Sequence, residues 1–354
     1  MTQSDAGIAL GAAQARPARE HCGAGAPARE TSSSKLLQIL ICAGAPFLCM
    51  VHDAVYAKTT PTTIEKVTLR HAPRQPADAS AVPTIDSQRA FRYIKEIVGF
   101  GPRPIGSANH KKLEQYILAH LKGDQVESDI FTANTPEGKF PIHNIVAKYP
   151  GTKDGILVIA GHYDTNYPLR NINYLGANDG GSSTAILLEL ANHLRGRKRD
   201  GYSVWLLWTD GEEAVKQWSP IDSLYGTRHI AEKWQSDGTL KKIKAFLLTD
   251  MIADADLNIE RDTNSTPWLE DLIHQAATTL GYQSHFFGRT IAVEDDHLPF
   301  VQRGVPSADL IDLDYGYGDV FHHTPQDTMD KLSPKSLEIV GNVILETMAM
   351  LDKR

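Results

Sequence analysis

Four short apolar runs constrain this chain more than any other feature. The segments 144-NIVAKY-149, 155-GILVIAG-161, 203-SVWLLWT-209 and 243-IKAFLLTD-250 are of strand length and rich in Val, Ile and Leu. Strands of that composition are buried on both faces, as in parallel sheets covered by helices. Helical spacing of apolar residues separates or flanks them. Residues 182–195 carry Leu187, Leu190, Ala191 and Leu194 as a buried stripe, and 266–280 is a second such segment. Upstream, Phe91, Ile94, Ile97 and Val98 recur at helical spacing, and Ser107 opens a helix with Leu113, Ile117 and Leu121 on one face. A last helix is predicted from about Pro334 to Leu351. Together these predict a three-layer α/β/α fold around a central, mostly parallel mixed sheet. Functional residues then belong in the loops beyond the carboxyl ends of the strands.

The 354 residues are 42% hydrophobic and 22% charged, which excludes low-complexity and wholly disordered classes. A net charge of -7 leaves no basic surplus for a phosphate backbone, so nucleic acid is not an expected partner. The three cysteines, Cys22, Cys42 and Cys49, form no Cys-x-x-Cys pair and predict no disulfide scaffold. Residues 1–34 are rich in Ala, Gly, Arg and Ser without apolar periodicity, and are expected to be disordered. The run 36-LLQILICAGAPFLCMV-51 follows Lys35 and precedes Val55-Tyr56-Ala57, the small-residue pattern of a signal-peptidase site. It is shorter than the roughly 20 apolar residues that span a bilayer and contains Gln38 and Pro46, so cleavage is preferred over the alternative of an uncleaved anchor. The predicted organisation is 1–57 as a disordered n-region plus signal peptide, 58–85 as an extended leader rich in Thr, Pro and Ala, and 86–354 as one catalytic domain. Such a chain is exported, to a periplasm or the exterior, and its mature form is expected to be a monomer that lacks cysteine and does not engage the membrane.

Carboxylates and imidazoles collect after the strands. His162-Tyr163-Asp164 follows the second apolar run, Asp210-Gly211-Glu212-Glu213 the third, and the fourth ends in Asp250. Asn178-Asp179-Gly180-Gly181 lies just before a helix, Glu294-Asp295-Asp296-His297 before a Pro-Phe pair, and His322-His323-Thr324 after a Gly/Tyr-rich loop. Like charges gathered at one sheet edge need a compensating cation. Asp, Glu and His without Cys form the ligand set of a catalytic zinc with an open coordination position. Each residue also has a plainer reading: Asp179 could cap the helix after it, and Glu212 and Glu213 could be solvated loop carboxylates. Their joint arrangement favours a metal centre. His110, His120, His143 and His193 are assigned no role.

In chain order, His162 in G-H-Y-D, Asp179 in A-N-D-G, Glu212 and Glu213 in D-G-E-E-A, Asp250 in L-T-D and His323 in H-H-T resemble the metal-site motifs of the M28 zinc aminopeptidases, over roughly 88–352. The stretch 218-WSPIDSLYGTRHIA-231 is similar to the W-S-P-x-D-S-L-Y-G-S-R-H segment of the glutaminyl-peptide cyclotransferases, a branch of that fold, and 294-EDDHLPFVQRGVP-306 resembles another segment of the same branch. The resemblance implies conversion of an N-terminal Gln of peptides or proteins to pyroglutamate with release of ammonia. It implies one Zn2+ held by Asp179, Glu213 and His323, with Glu212 as general acid and base and Asp250 and Asp295 as carboxylates around the reacting centre. Trp218 then lines the substrate pocket, together with His322, which stands where many relatives carry Trp. The alternative is a dinuclear aminopeptidase releasing N-terminal amino acids, in which His162 and Asp250 hold a second zinc bridged by Asp179. All five potential ligands are present, so ligand identity leaves both open. A non-catalytic peptide-binding module is a third reading, against which the intact Glu212 argues. The Ala-Asn-Asp-Gly-Gly-Ser run is closer to the aminopeptidase form, and Asp309 falls where animal cyclases carry an active-site His.

Overall fold

A computed structural model describes residues 84–354, which fall within one compact unit. The signal sequence and nearly all of the leader read from the sequence lie outside the described residues. Asp86 and Ser107 cap the first two helices, α1 (Ser87–Val98) and α2 (Ala108–His120), each accepting a backbone N–H with its side chain. Eight strands follow: β1 (Gln125–Thr135), β2 (Gly138–Tyr149), β3 (Gly151–His162), β4 (Arg199–Thr209), β5 (Ile243–Asp250), β6 (Ile259–Asp262), β7 (Phe286–Ile291) and β8 (Ser307–Ile311). Six of them form the central sheet in the order β1-β2-β4-β3-β5-β8, while β6 and β7 pair with each other.

The predicted parallel core is present as β4, β3, β5 and β8, all parallel. At one edge the structure departs from the reading of 144–149 as one of the parallel-sheet strands. That run is the second half of β2, which pairs antiparallel with both β4 and β1. No apolar run announced β1, because among its residues only Asp129 and Ala133 are buried, as befits a half-solvated edge strand.

The two faces of the sheet separate by alternate residues. Leu157, Ile159, Leu206, Trp208 and Leu247 belong to a core shared with α1, α3 (Gly181–Leu194), α5 (Pro267–Thr279) and α7 (Pro334–Leu351). Val158, Ala160, Leu207, Phe246 and Leu248 face the other way, against Ile230, Ala231 and Trp234 of α4 (Tyr225–Ser236) and Phe300 of α6 (Leu298–Val301). This is the three-layer arrangement. The stripe expected on α3 proves wider, since the helix is buried nearly all round between sheet, α1 and α7. No described helix is long and apolar enough to cross a membrane.

The strand ends that carry the polar clusters are tied together by short contacts. Thr249 donates to the Ala160 carbonyl at 2.9 Å, and Ser183 and Thr184 of α3 both donate to the His162 carbonyl. Gly161 makes this possible: a Cβ there would lie 2.5 Å from Ser183 Cβ and 3.0 Å from the Thr249 carbonyl oxygen. Gly161→Ala should therefore overpack the junction of β3, β5 and α3 and destabilise the protein by about 2 kcal/mol. A urea midpoint unchanged from wild type would show that the junction yields freely.

Candidate active site

His162 is the last residue of β3 and Asp250 the last of β5; Glu212 and Glu213 lie just beyond β4, and Asp179 just before α3. The sheet thus delivers the ligand candidates to one edge, and the geometry joins them through Asp179. Its Oδ1 lies 3.0 Å from His162 Nε2 and its Oδ2 3.3 Å from His323 Nε2. His323 Nε2 is also 3.1 Å from Glu213 Oε1, and His162 Nε2 is 3.2 Å from Asp250 Oδ1. Asp179 is no helix cap, since the N-cap of α3 is Gly180 and no side chain caps it.

These separations are informative about a metal. A tetrahedral zinc with bonds near 2.0 Å places its ligand atoms about 3.3 Å apart. The imidazole-to-carboxylate distances of 3.0 to 3.3 Å, which are also hydrogen-bonding distances, match two edges of such a tetrahedron in each of two adjoining groups, Asp179/Glu213/His323 and His162/Asp179/Asp250. Donor atoms of the second group, and of Asp179 with His322 and His323, lie within 4.8 Å of one another. Asp179, Glu212, Glu213 and Asp295 are buried; among the described residues the first three pair only with imidazoles, and Asp295 has no ion-pair partner. The residues present fit a bound cation.

Several groups that sequence reasoning did not assign hold this arrangement. Asp164 accepts from the backbone N–H groups of Glu212 and Glu213 at 3.2 and 3.4 Å. Asp327 does the same for Asn178 and Asp179 at 2.8 and 3.2 Å, and the Tyr174 hydroxyl donates to Asp179 Oδ2. Asn166 donates to Glu213 Oε2 at 2.7 Å, which leaves Oε1 turned toward His323. His323 itself adopts φ 52°, a left-handed conformation that costs a non-glycine residue roughly 1 kcal/mol and is found chiefly where surrounding structure enforces it. His110, which was given no role, is a satisfied core residue 2.7 Å from Asp210.

The electrostatics single out Glu212 and Asp295. Burial raises the Glu212 pKa well above the carboxylate range; His162 opposes this, while Asp295, Glu213 and Asp296 reinforce it. Burial, then Asp250 and Asp296, raise Asp295 in the same way, and burial with Asp295 and Asp250 raises Asp309 on β8. Burial disfavours the charged form of His162, yet the Asp250 charge and hydrogen bonds to Asp164, Asp179 and Asp250 prevail and raise its pKa well above the usual value. The Glu-Asp-Asp-His run divides by function. Asp295 faces the cavity, whereas Asp296 accepts from the Thr209 and Thr227 hydroxyls and His297 lies 2.9 Å from Asp262, both tying the loop to its neighbours.

A cavity of about 370 Å³ opens over the cluster, with Glu212, Asp250 and Asp295 on its floor and Trp218, Val293, Ile311 and Leu313 among its walls. Asp222 builds the Trp218 wall by accepting from the backbone N–H groups of Val215, Lys216 and Gln217 and from the Tyr225 hydroxyl. The Trp218 indole N–H donates to Glu294. His322 lines the same cavity, its Nδ1 3.1 Å from Asp319 Oδ2.

A sheet edge that gathers two metal-competent imidazoles and a set of buried carboxylates under an open cavity defines a site of the α/β aminopeptidase class. Residues 144–348 match Peptidase family M28. The glutaminyl-peptide cyclotransferase of Drosophila melanogaster is 33% identical over 254 residues, 64% of this chain and 70% of the relative. The glutaminyl-peptide cyclotransferase-like protein of Mus musculus is 32% identical over 276 residues, 70% of this chain and 71% of the relative. Among solved structures, the glutaminyl cyclase of an Acidobacteriales bacterium is 51% identical with a TM-score of 0.76, covering 79% of this chain and 99% of that one. The chain belongs to peptidase family M28 and, within it, to the glutaminyl-peptide cyclotransferases.

Asn166 offers a test of the ligand cradle. Asn166→Ala should leave the fold intact but lower zinc affinity by about 10- to 100-fold, because Glu213 loses the partner that orients it. Competition against a chelating dye would measure this; unaltered affinity would remove Asn166 from the site.

Proposed function

We propose that this protein is a zinc-dependent glutaminyl-peptide cyclotransferase that converts the N-terminal Gln of peptides to pyroglutamate and releases ammonia. The observation that carries this reading is the loop that Asp222 organises, which sets Trp218 as an aromatic wall of the cavity above Glu212. The similarity to relatives described as glutaminyl-peptide cyclotransferases supports it. Asp179, Glu213 and His323 would hold one zinc, which when bound supplies Lewis acidity toward the γ-carbonyl oxygen of the substrate. In this single-zinc reading the second cradle is held by the contacts of His162 with Asp179 and Asp250.

The chain's own groups supply the proton transfers. Glu212 takes a proton from the α-amine as its nitrogen forms the bond to the side-chain amide carbon Cδ, and returns a proton to the amide nitrogen as the carbon–nitrogen bond breaks and ammonia departs. Its raised pKa suits a group that must both hold and release a proton near neutrality. Asp250 and Asp295 position the reacting nitrogens by hydrogen bonds, and Trp218 and His322 enclose the glutaminyl side chain. The apolar walls restrict water, which favours closure of the ring over hydrolysis, and the intramolecular attack gains from proximity. We read 86–354 as the complete catalytic unit, and 1–57 as an export address that places the enzyme in a periplasm or outside the cell.

With purified protein, Gln-initiated peptides should yield ammonia and pyroglutamyl product, and Leu-initiated peptides should be untouched; release of free leucine would contradict the proposal. Glu212→Gln should keep zinc bound and reduce turnover by about 10²- to 10⁴-fold, since shape remains and the titratable group is gone. Near-wild-type turnover in that variant would remove Glu212 from its role. His323→Ala should instead lose the metal, as read by zinc content after dialysis.

A further inference from the structure

We propose that the substrate peptide leaves the reaction cavity over Trp218 into a second groove, where Arg228 and Arg303 favour an acidic side chain a few residues beyond the N-terminal Gln. The inference rests on the cyclotransferase reading of the main cavity. The groove, of about 350 Å³, shares Trp218 and Glu294 with the reaction cavity and so continues it on the far side of the indole. Trp218 and Glu294 are both exposed and hydrogen-bonded to each other, forming the sill between the two spaces. An extended peptide advances roughly 3.5 Å per residue, so a chain anchored by its first residue over Glu212 reaches the sill within two or three residues.

Leu224, Leu298 and Pro299 give the groove an apolar lining, and two guanidinium groups stand on it. Arg228, on α4, donates to the backbone carbonyls of Ser223, Leu224 and Ile221 and lies over the Tyr225 ring. Arg303, just beyond α6, donates to the Gln235 side-chain oxygen at 3.1 Å and the Pro299 carbonyl at 2.8 Å. Every one of these partners is neutral. The arginines are thus fixed in place without a direct ion pair, although the buried Asp222 acts on Arg228 at longer range, and each keeps a terminal nitrogen that has no protein acceptor among the described residues. Glu232 and Glu294 also line the groove, but both are exposed and screened by solvent, whereas both arginines are half-buried. A substrate carboxylate laid against them would make charge-assisted bonds. The groove therefore selects an acidic side chain, not a basic one.

The test uses three substrates: glutamine amide, and two otherwise identical Gln-initiated pentapeptides with Glu or Lys at the third position. At low ionic strength kcat/KM should favour the Glu peptide by about fivefold, and the ratio should fall toward one at high salt. Arg303→Gln should bring the ratio below about twofold and leave glutamine amide turnover unchanged. Arg228→Gln should do the same, with circular dichroism confirming that the loop on which it packs is intact. Equal rates for the two pentapeptides in the wild type, or an undiminished preference in both variants, would overturn the groove while leaving the cyclotransferase reading in place. Failure of the wild type to turn over glutamine amide would overturn both.

Discussion

The structure is organised around one shared carboxylate. Asp179 turns one oxygen to His162 and the other to His323, and through them it meets Asp250 and Glu213. Such a cluster is unfavourable in isolation, because each buried carboxylate without a counter-charge costs several kcal/mol. The fold meets this cost with imidazoles and a cation-sized cradle, and Asp327 and Asp164 fix the loops on either side by accepting from their backbone amides. The glycine at the end of β3 and the hydroxyls of α3 bring the strand ends close enough for the cradle to form. Without a cation the arrangement is held by imidazole protons, the Tyr174 hydroxyl and the Asn166 amide.

The same loops that hold the cradle shape the reaction space. Asp210 accepts from His110 and from the His143 backbone, so the β4 end is anchored before it turns into Glu212 and Glu213. Asp222 then gathers three consecutive N–H groups and a Tyr hydroxyl, and this nest sets where Trp218 stands. On the other side, Asp296 and His297 are spent on structure so that Asp295 can face the cavity. The proposed metal cradle and proton carrier, and the aromatic wall beside them, thus rest on a few buried carboxylates used as local scaffolding.

Much of this was legible in the sequence. Doubly buried strands announce themselves as Val/Ile/Leu runs, so β3, β4 and β5 and the clusters that follow them are read directly, as are α2 from its cap and periodicity and the span of α7. Less was legible where one face meets water: β1 has too little apolar pattern to be seen, and with it went the antiparallel edge that reverses the setting of β2. The supporting residues of the site were hidden for a different reason. Asn166 acts on Glu213 from 47 positions away and Asp327 on Asp179 from 148, and no local spacing encodes such pairings. Asp164 lay within a cluster that was noticed, yet its role as an acceptor for two backbone amides exists only once β3 and β4 are side by side.

The proposed reaction needs one metal ion in this cluster, with His162 contacting Asp179 and Asp250 in the adjoining cradle. Anomalous scattering from crystals of the zinc-loaded enzyme, recorded on both sides of the zinc absorption edge, tests it most directly. The account predicts one strong peak between Asp179, Glu213 and His323. A second peak of comparable height between His162, Asp179 and Asp250 would contradict it.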